Sequence, residues 1–258
     1  MGKLIYNILN NNALKIYFYC LILIAASCKS AKETNGTLII QFDHYISAEP
    51  LQFKSAIKYT NKSGNKYNIG VCRYIVGKFA LTRDNGLIEY LDAYHVVDAD
   101  DPNTQKITVA NVKPGNYKAI SFIVGVDSAS NNDYLANGTK PAGLASDVSM
   151  GWSGMGFRFV VLEGDYYKDQ NSTTKLSYGY HVGLNENLNS YNFSTSTFNI
   201  NGNQKTANVK VDFAKFFDGI NQWDISMEET NHSENSKKAD TRKLGQNIGQ
   251  MFSLTAIN

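Results

Sequence analysis

The feature that most constrains this chain is a recurrence: nine runs rich in β-branched and aromatic residues follow one another, over 37–44, 67–81, 88–97, 106–112, 117–126, 156–163, 175–184, 191–200 and 206–212. Alternate residues of a strand share a face, so runs of this kind bury one face and wet the other, and strands at this density pair into stacked sheets. Turn chemistry separates them. Arg83-Asp84-Asn85-Gly86 offers an Asn-Gly hairpin, Lys113-Pro114-Gly115-Asn116 a type II turn, and Asn201-Gly202-Asn203 a further reversal. The expectation is an all-β chain, an antiparallel β-sandwich with long loops, occupying residues 36–258 as one domain of a size sandwiches commonly reach.

Three segments stand outside this pattern. Residues 127–153 are rich in Ser, Asn, Gly and Asp with little periodicity, which predicts a long loop able to cover a site. Residues 213–217 read as a single helical turn. Leu244, Ile248, Met251 and Phe252 fall on one helical stripe, predicting a short C-terminal helix that begins around Lys238 and packs across the sandwich.

The front of the chain reads as an address. Lys3 and Lys15 precede an apolar run over 16–26 that is too short to span a bilayer but right for the core of a signal peptide. It ends Ile24-Ala25-Ala26-Ser27-Cys28, which looks like a lipobox with Ala25 where Leu is usual. Residues 1–27 are therefore expected to be a lipoprotein signal peptide, Cys28 the lipidated first residue of the mature chain, and 28–35 a polar tether. The membrane, reached through the lipid on Cys28, is the expected partner, and the bacterial cell envelope, periplasm-facing or at the outer-membrane surface, the expected location. Of the 3 cysteines this leaves Cys72 alone, in a strand-like run where a buried structural thiol is expected. A net charge of +2 with no basic cluster gives no field to gather nucleic acid.

Catalytic templates are absent. No G-x-S-x-G, H-E-x-x-H or P-loop string occurs, and no nucleophile–base pair is visible, so the chain is read as non-enzymatic. The acidic stretches 98–101 and 127–133 lack the glycine and distal glutamate of an EF-hand loop and read as solvated turns, and Glu163 as a turn carboxylate. Histidine is scarce, 4 in all: His44, His95, His181 and His232. Neutral imidazole is a common copper and zinc ligand, and strand ends from different parts of a sandwich can converge at one pole, although no H-x-H or H-x-x-x-H spacing joins these four. A second reading takes the 16 tyrosines as contact area for a protein or glycan partner, with the histidines scattered and no metal bound.

Several strings, in order, carry a resemblance. They are Gly36-Thr37-Leu38 with Phe42-Asp43-His44, Tyr74-Ile75-Val76-Gly77-Lys78-Phe79-Ala80-Leu81, Tyr94-His95-Val96-Val97-Asp98 and Val112-Lys113-Pro114-Gly115-Asn116-Tyr117. After them come Gly125-Val126-Asp127-Ser128, Met150-Gly151-Trp152, Phe157-Arg158-Phe159 with Leu162-Glu163-Gly164, Tyr180-His181-Val182-Gly183, and Asn247-Ile248-Gly249-Gln250-Met251-Phe252. Together they resemble the MbnP-like family of exported proteins, whose methanotroph members bind copper and which includes many envelope lipoproteins. The resemblance implies a β-rich copper-binding domain outside the cytoplasm, with copper held by histidines beside a kynurenine made from tryptophan, the oxidant being a di-haem enzyme of the MauG-like type. Matched residue by residue, His44, His95, His181 and His232 become the metal ligands and Trp152 the aromatic that would be oxidised. Many members carry Trp-x-Trp where this chain has Trp152-Ser153-Gly154. Met150 and Met155 are the sulfur donors nearest that motif. The resulting expectation is a lipid-anchored protein that captures or stores copper at the envelope.

Overall fold

A computed structural model describes residues 32–258, apart from 92, 146–148 and 170. The expected signal peptide, Cys28 and residues 29–31 of the expected tether lie outside the described residues. The first half of the chain forms strands β1 (Gly36–Ile46), β2 (Glu49–Pro50), β3 (Tyr59–Thr60), β4 (Lys66–Tyr67), β5 (Val71–Arg83), β6 (Ile88–Tyr90), β7 (His95–Asp98) and β8 (Lys106–Val112). The second half forms β9 (Gly115–Val124), β10 (Gly151–Trp152), β11 (Gly156–Tyr167), β12 (Leu176–Gly183), β13 (Asn189–Ile200), β14 (Gln204–Asp212), β15 (Thr230–Asn231) and β16 (Phe252–Ile257). Among the described residues the α-helices are α1 (Ser128–Asn137), α2 (Ala214–Asp218) and α3 (Lys238–Ile248).

Two sheets result, as the alternation predicts. The smaller runs β16-β14-β1, with β2 and β8 both paired to β1; the larger follows β13-β9-β5-β11-β12-β15 with the short strands attached. Leu38, Ile40 and Phe42 from β1 meet Tyr74 and Val76 from β5, Phe122 from β9 and Tyr180 from β12 in one core. Phe42 stands edge-on to Tyr74, Phe122 and Phe252, with ring centroids 5.9, 5.8 and 6.4 Å away, so one ring joins the two sheets. Cys72 is fully buried in this core, and burial pushes its thiol pKa well up, which suits the structural role expected of it.

Most strand pairs are antiparallel as expected, with two exceptions. β1 and β14 pair in parallel over Thr37↔Gln204 to Tyr45↔Asp212, and β12 and β15 are parallel as well. Alternation reports which face is buried and is identical for parallel and antiparallel neighbours; direction is set by how the chain returns, and β1 and β14 are joined through the whole domain. The Asn-Gly hairpin forms as expected between β5 and β6, with Gly86 at φ 88° and its N–H donating to the Arg83 carbonyl at 3.0 Å. Within β5, Lys78 at φ 53° marks a bulge where the pairing to β9 shifts register between Gly77 and Ala80. The extra residue moves the phase so that Phe79 and Leu81 continue the inward face begun by Cys72, Tyr74 and Val76.

The stretch 127–153 begins as a helix rather than as a loop. Its first part is α1, capped by Asp127, whose carboxylate accepts from the Ser130 N–H at 3.0 Å, and closed by Gly138 in the left-handed region. The helix lays Tyr134 on Phe157, ring centroids 4.4 Å apart, and buries Asn131, whose Oδ1 accepts from the Phe157 N–H at 2.9 Å. Helix and strap cover the outer face of the large sheet, creating a second core of Ile75, Tyr94, Val126, Leu144, Met150, Phe157, Phe159 and Val161. Ser and Asn are weak helix formers, so this helix rests on its caps and on two anchoring side chains rather than on an apolar stripe. The strap crosses Tyr94 at Gly143, at φ 89°, where an added Cβ would lie 1.8 Å from the Tyr94 carbonyl oxygen. Gly143→Ala is expected to destabilise the fold by about 2 kcal/mol or more, since both the conformation and the clash oppose it; urea unfolding checks this.

The two remaining helices form where expected, α2 within one residue of the predicted turn and α3 from Lys238. Leu244 and Ile248 are buried on α3, but Phe252 opens β16, which pairs with β14 and ends the domain as a strand.

Candidate functional site

The alternation that builds the sandwich also sorts its histidines. On β12, Tyr180 and Val182 point into the main core, so His181 between them projects from the outer face, opposite Val161 of the second core. On β15, Asn231 sits in register beside Tyr180 in a parallel pair, which puts the next residue, His232, beside His181. Their rings stack with centroids 4.4 Å apart and planes 10° from parallel. Ser233 locks this segment: its hydroxyl donates to the His181 carbonyl at 2.8 Å and accepts from the Gly183 N–H at 3.0 Å.

Trp152 completes the cluster. It ends β10, which folds back on β11 through a turn with Gly154 at φ 77°, and pairs with Gly156. Its ring meets both imidazoles edge to face, with centroids 6.0 Å from His181 and 6.3 Å from His232. Arg158, three residues on in sequence from Met155, lies over the indole with its guanidinium carbon 5.1 Å from the ring centroid, and one of its terminal nitrogens donates to the Ser149 carbonyl at 2.9 Å. Three of the five residues singled out in the sequence for a metal site are thus brought together.

Glu163 is the member that sequence reasoning set aside. It lies inside β11 rather than at a turn, and its Oε1 is 2.7 Å from His181 Nε2. A carboxylate only accepts, so Nε2 carries the hydrogen and, in the neutral ring, Nδ1 keeps the lone pair. Burial holds the His181 pKa below its ordinary value, with His232 and the Arg158 charge acting in the same direction and Glu163 against them. The neutral, ligating form therefore prevails at neutral pH. The signal that could have found this residue is phase: Glu163 falls between Leu162 of the main core and Gly164, on the same outer face as His181.

The other two histidines lie elsewhere. His44 is in phase with Leu38, Ile40 and Phe42 and points inward, its Nε2 2.8 Å from the Tyr74 hydroxyl and its ring stacked on Phe213 at 5.6 Å. His95 pairs with Val76, an inward residue, and its ring lies 6.2 Å from that of Phe79. Both face the interior side of the large sheet while His181 faces the exterior, so the four do not converge. Met150 is buried in the second core, which removes its sulfur from the donor set. Among the described residues no group of three or more His, Cys, Asp or Glu is placed to hold a metal ion. The donor chemistry is two imidazole nitrogens. Stacked rings aim their lone pairs side by side, so a shared ion requires His232, the exposed member, to turn toward His181.

The sequence matches the family model described as MbnP over residues 35–237. Among solved structures, MbnP from Methylosinus trichosporium superposes with a TM-score of 0.53 at 16% identity, covering 88% of this chain and 99% of that one, a likeness of fold. No curated protein matches the sequence.

Proposed function

We propose, from the premise that this chain belongs to the MbnP family, that it is a non-enzymatic copper-binding protein of the bacterial envelope, anchored by lipid on Cys28, whose His181 and His232 hold the ion beside Trp152. The observation that carries this reading is the stacked histidine pair flanked by the family-matched tryptophan, on a face held by two parallel-paired strands. Copper takes nitrogen donors more tightly than the other divalent first-row metals, and bound there it would supply a soft, redox-active centre. Glu163 would orient His181, Arg158 would disfavour protonation of His181 and press on Trp152, and the second core would hold β11 and β12 rigid beneath them.

The interaction-module alternative loses its main support, because Tyr59, Tyr67, Tyr74, Tyr94, Tyr117, Tyr166, Tyr178, Tyr180 and Tyr191 are buried rather than available to a partner. The test is a chelator-competed copper titration of the mature chain, followed by imidazole NMR. Tight one-to-one binding that perturbs His181 and His232 while sparing His44 and His95 supports the reading; absent binding, or perturbation confined to His44 and His95, overturns it.

Glu163 gives a second, finer prediction. Glu163→Gln removes the carboxylate that raises the His181 pKa, so copper affinity should fall about tenfold at pH 8. The midpoint of the affinity–pH profile, normalised to its own high-pH plateau, should move lower at the same time. A merely structural role for Glu163 would change affinity without moving that midpoint.

A further inference from the structure

The β5–β6 hairpin exposes the apolar side chains of Leu87, Ile88 and Tyr90 at 64%, 56% and 78%. Its position relative to the start of the domain singles it out. Glu89, between Ile88 and Tyr90, accepts from the Lys113 N–H at 3.2 Å and from the Tyr117 hydroxyl at 2.9 Å, and pairs with Arg83 at 2.9 Å. Lys113 follows Val112, and Val112 is the register partner of Gly36, the first residue of β1. The hairpin and the point at which the chain enters the domain therefore share one pole of the sandwich.

We infer that this pole is a membrane-docking face, in which Leu87, Ile88 and Tyr90 enter the interfacial region of the bilayer that holds the lipid on Cys28. The inference rests on the lipid-anchor reading given above. Only residues 29–35 separate Cys28 from Gly36, a span of at most ~29 Å when fully extended. A bilayer is thus the apolar phase this pole meets at high effective concentration, which lets a small apolar cluster dock without high intrinsic affinity. The chemistry agrees: two aliphatic side chains are topped by a tyrosine, a residue that prefers the interface, and Lys113 and Lys118 lie exposed at the same pole to meet anionic headgroups. The local carboxylates are occupied, Glu89 by Arg83 and Asp84 by the Asn116 amide at 3.4 Å. The histidine pair is on a different part of the large sheet, on β12 and beside β15, so docking and copper binding are separable.

The test uses the full chain, expressed with its own leader, purified, and reconstituted into phosphatidylethanolamine/phosphatidylglycerol vesicles. Ile88→Cys is labelled with an environment-sensitive fluorophore, Cys72 being buried and Cys28 blocked by lipid. The expected result is a blue-shifted emission quenched by lipids brominated in the upper acyl chain, and loss of both when Leu87 and Tyr90 are changed to serine. Mass spectrometry of the mature N-terminus separates the two claims. A lipidated chain whose label at 88 stays unquenched overturns the docking face alone; an unlipidated chain overturns the anchor and the docking with it. A blue shift without lipid that grows with protein concentration would assign the face to a second copy and also overturn the proposal.

Discussion

Copper affinity should fall at least 100-fold when either His181 or His232 is replaced by alanine, about 2.7 kcal/mol of binding free energy, and tight binding should be absent when both are replaced. The size follows from the donor count. With two imidazoles and no further His, Cys, Asp or Glu completing a set among the described residues, each ring supplies about half of the protein's ligation. The losses should not add, because one remaining imidazole binds little better than a free side chain and leaves the second substitution little to remove. Neither change should unfold the domain. His232 is exposed, and removing His181 leaves Glu163, 40% exposed, able to turn to water rather than stranding a buried charge. His44→Ala/His95→Ala is the informative counterpart: it should keep wild-type copper affinity despite removing half the histidines. Chelator-competed titrations of the four variants decide the matter, and unchanged affinity in the His181→Ala/His232→Ala protein would sink the assignment.

Much of the architecture is legible in the sequence because burying one face of a sheet leaves a period-two trace. The strand at 106–112 is matched residue for residue, and α3 starts where its stripe predicts. Direction and partnership leave no such trace, which is why the parallel pairing of β1 with β14 appears only in three dimensions. α1 is hidden for another reason: Ser128 to Asn137 is dominated by Ser, Asn and Asp, which are weak helix formers, and carries no apolar stripe, so only the Asp127 cap and Gly138 betray it. The site is legible in part. Residue type picks out His181 and His232 and the family resemblance adds Trp152, but neither separates the four histidines by phase. His44 lies in step with Phe42, and His181 out of step with Tyr180, so the two occupy opposite faces of the fold before any contact is considered. Glu163 was undervalued because a lone carboxylate in a hydrophobic run looks like a strand end; the partner that explains it, His181, is 18 residues away in sequence and adjacent only across the β11–β12 ladder.

Between pH 6.5 and pH 4 the domain should lose about 3 kcal/mol of stability, and His44 should account for most of it. Burial among Phe213 and Tyr74 pushes the His44 pKa down from 6.5 to about 4, only weakly opposed by the charge of Asp98. The ring is therefore neutral in the folded state and protonated in the unfolded state throughout that interval. The unfolded chain then binds more protons, so stability rises with pH: the contribution is fully present above 6.5 and is lost as pH falls toward the folded value, at about 1.4 kcal/mol per pH unit per proton. His181, also lowered by burial, adds in the same direction but less, being partly open to solvent and opposed by Glu163. The carboxylates held low, Glu89 by its hydrogen bonds and Asp127 by Tyr94 and Ser130, act in the same sense only once the pH falls into the ordinary carboxylate range, so the upper part of the interval isolates His44 and His181. Urea midpoints of the apo protein at pH 7, 6 and 5 should fall steadily, and His44→Gln, which stays neutral and can still meet the Tyr74 hydroxyl, should remove about one proton's worth of that slope. An unchanged slope in His44→Gln would mean that His44 titrates alike in the folded and unfolded states, which its burial against a fully buried tyrosine forbids.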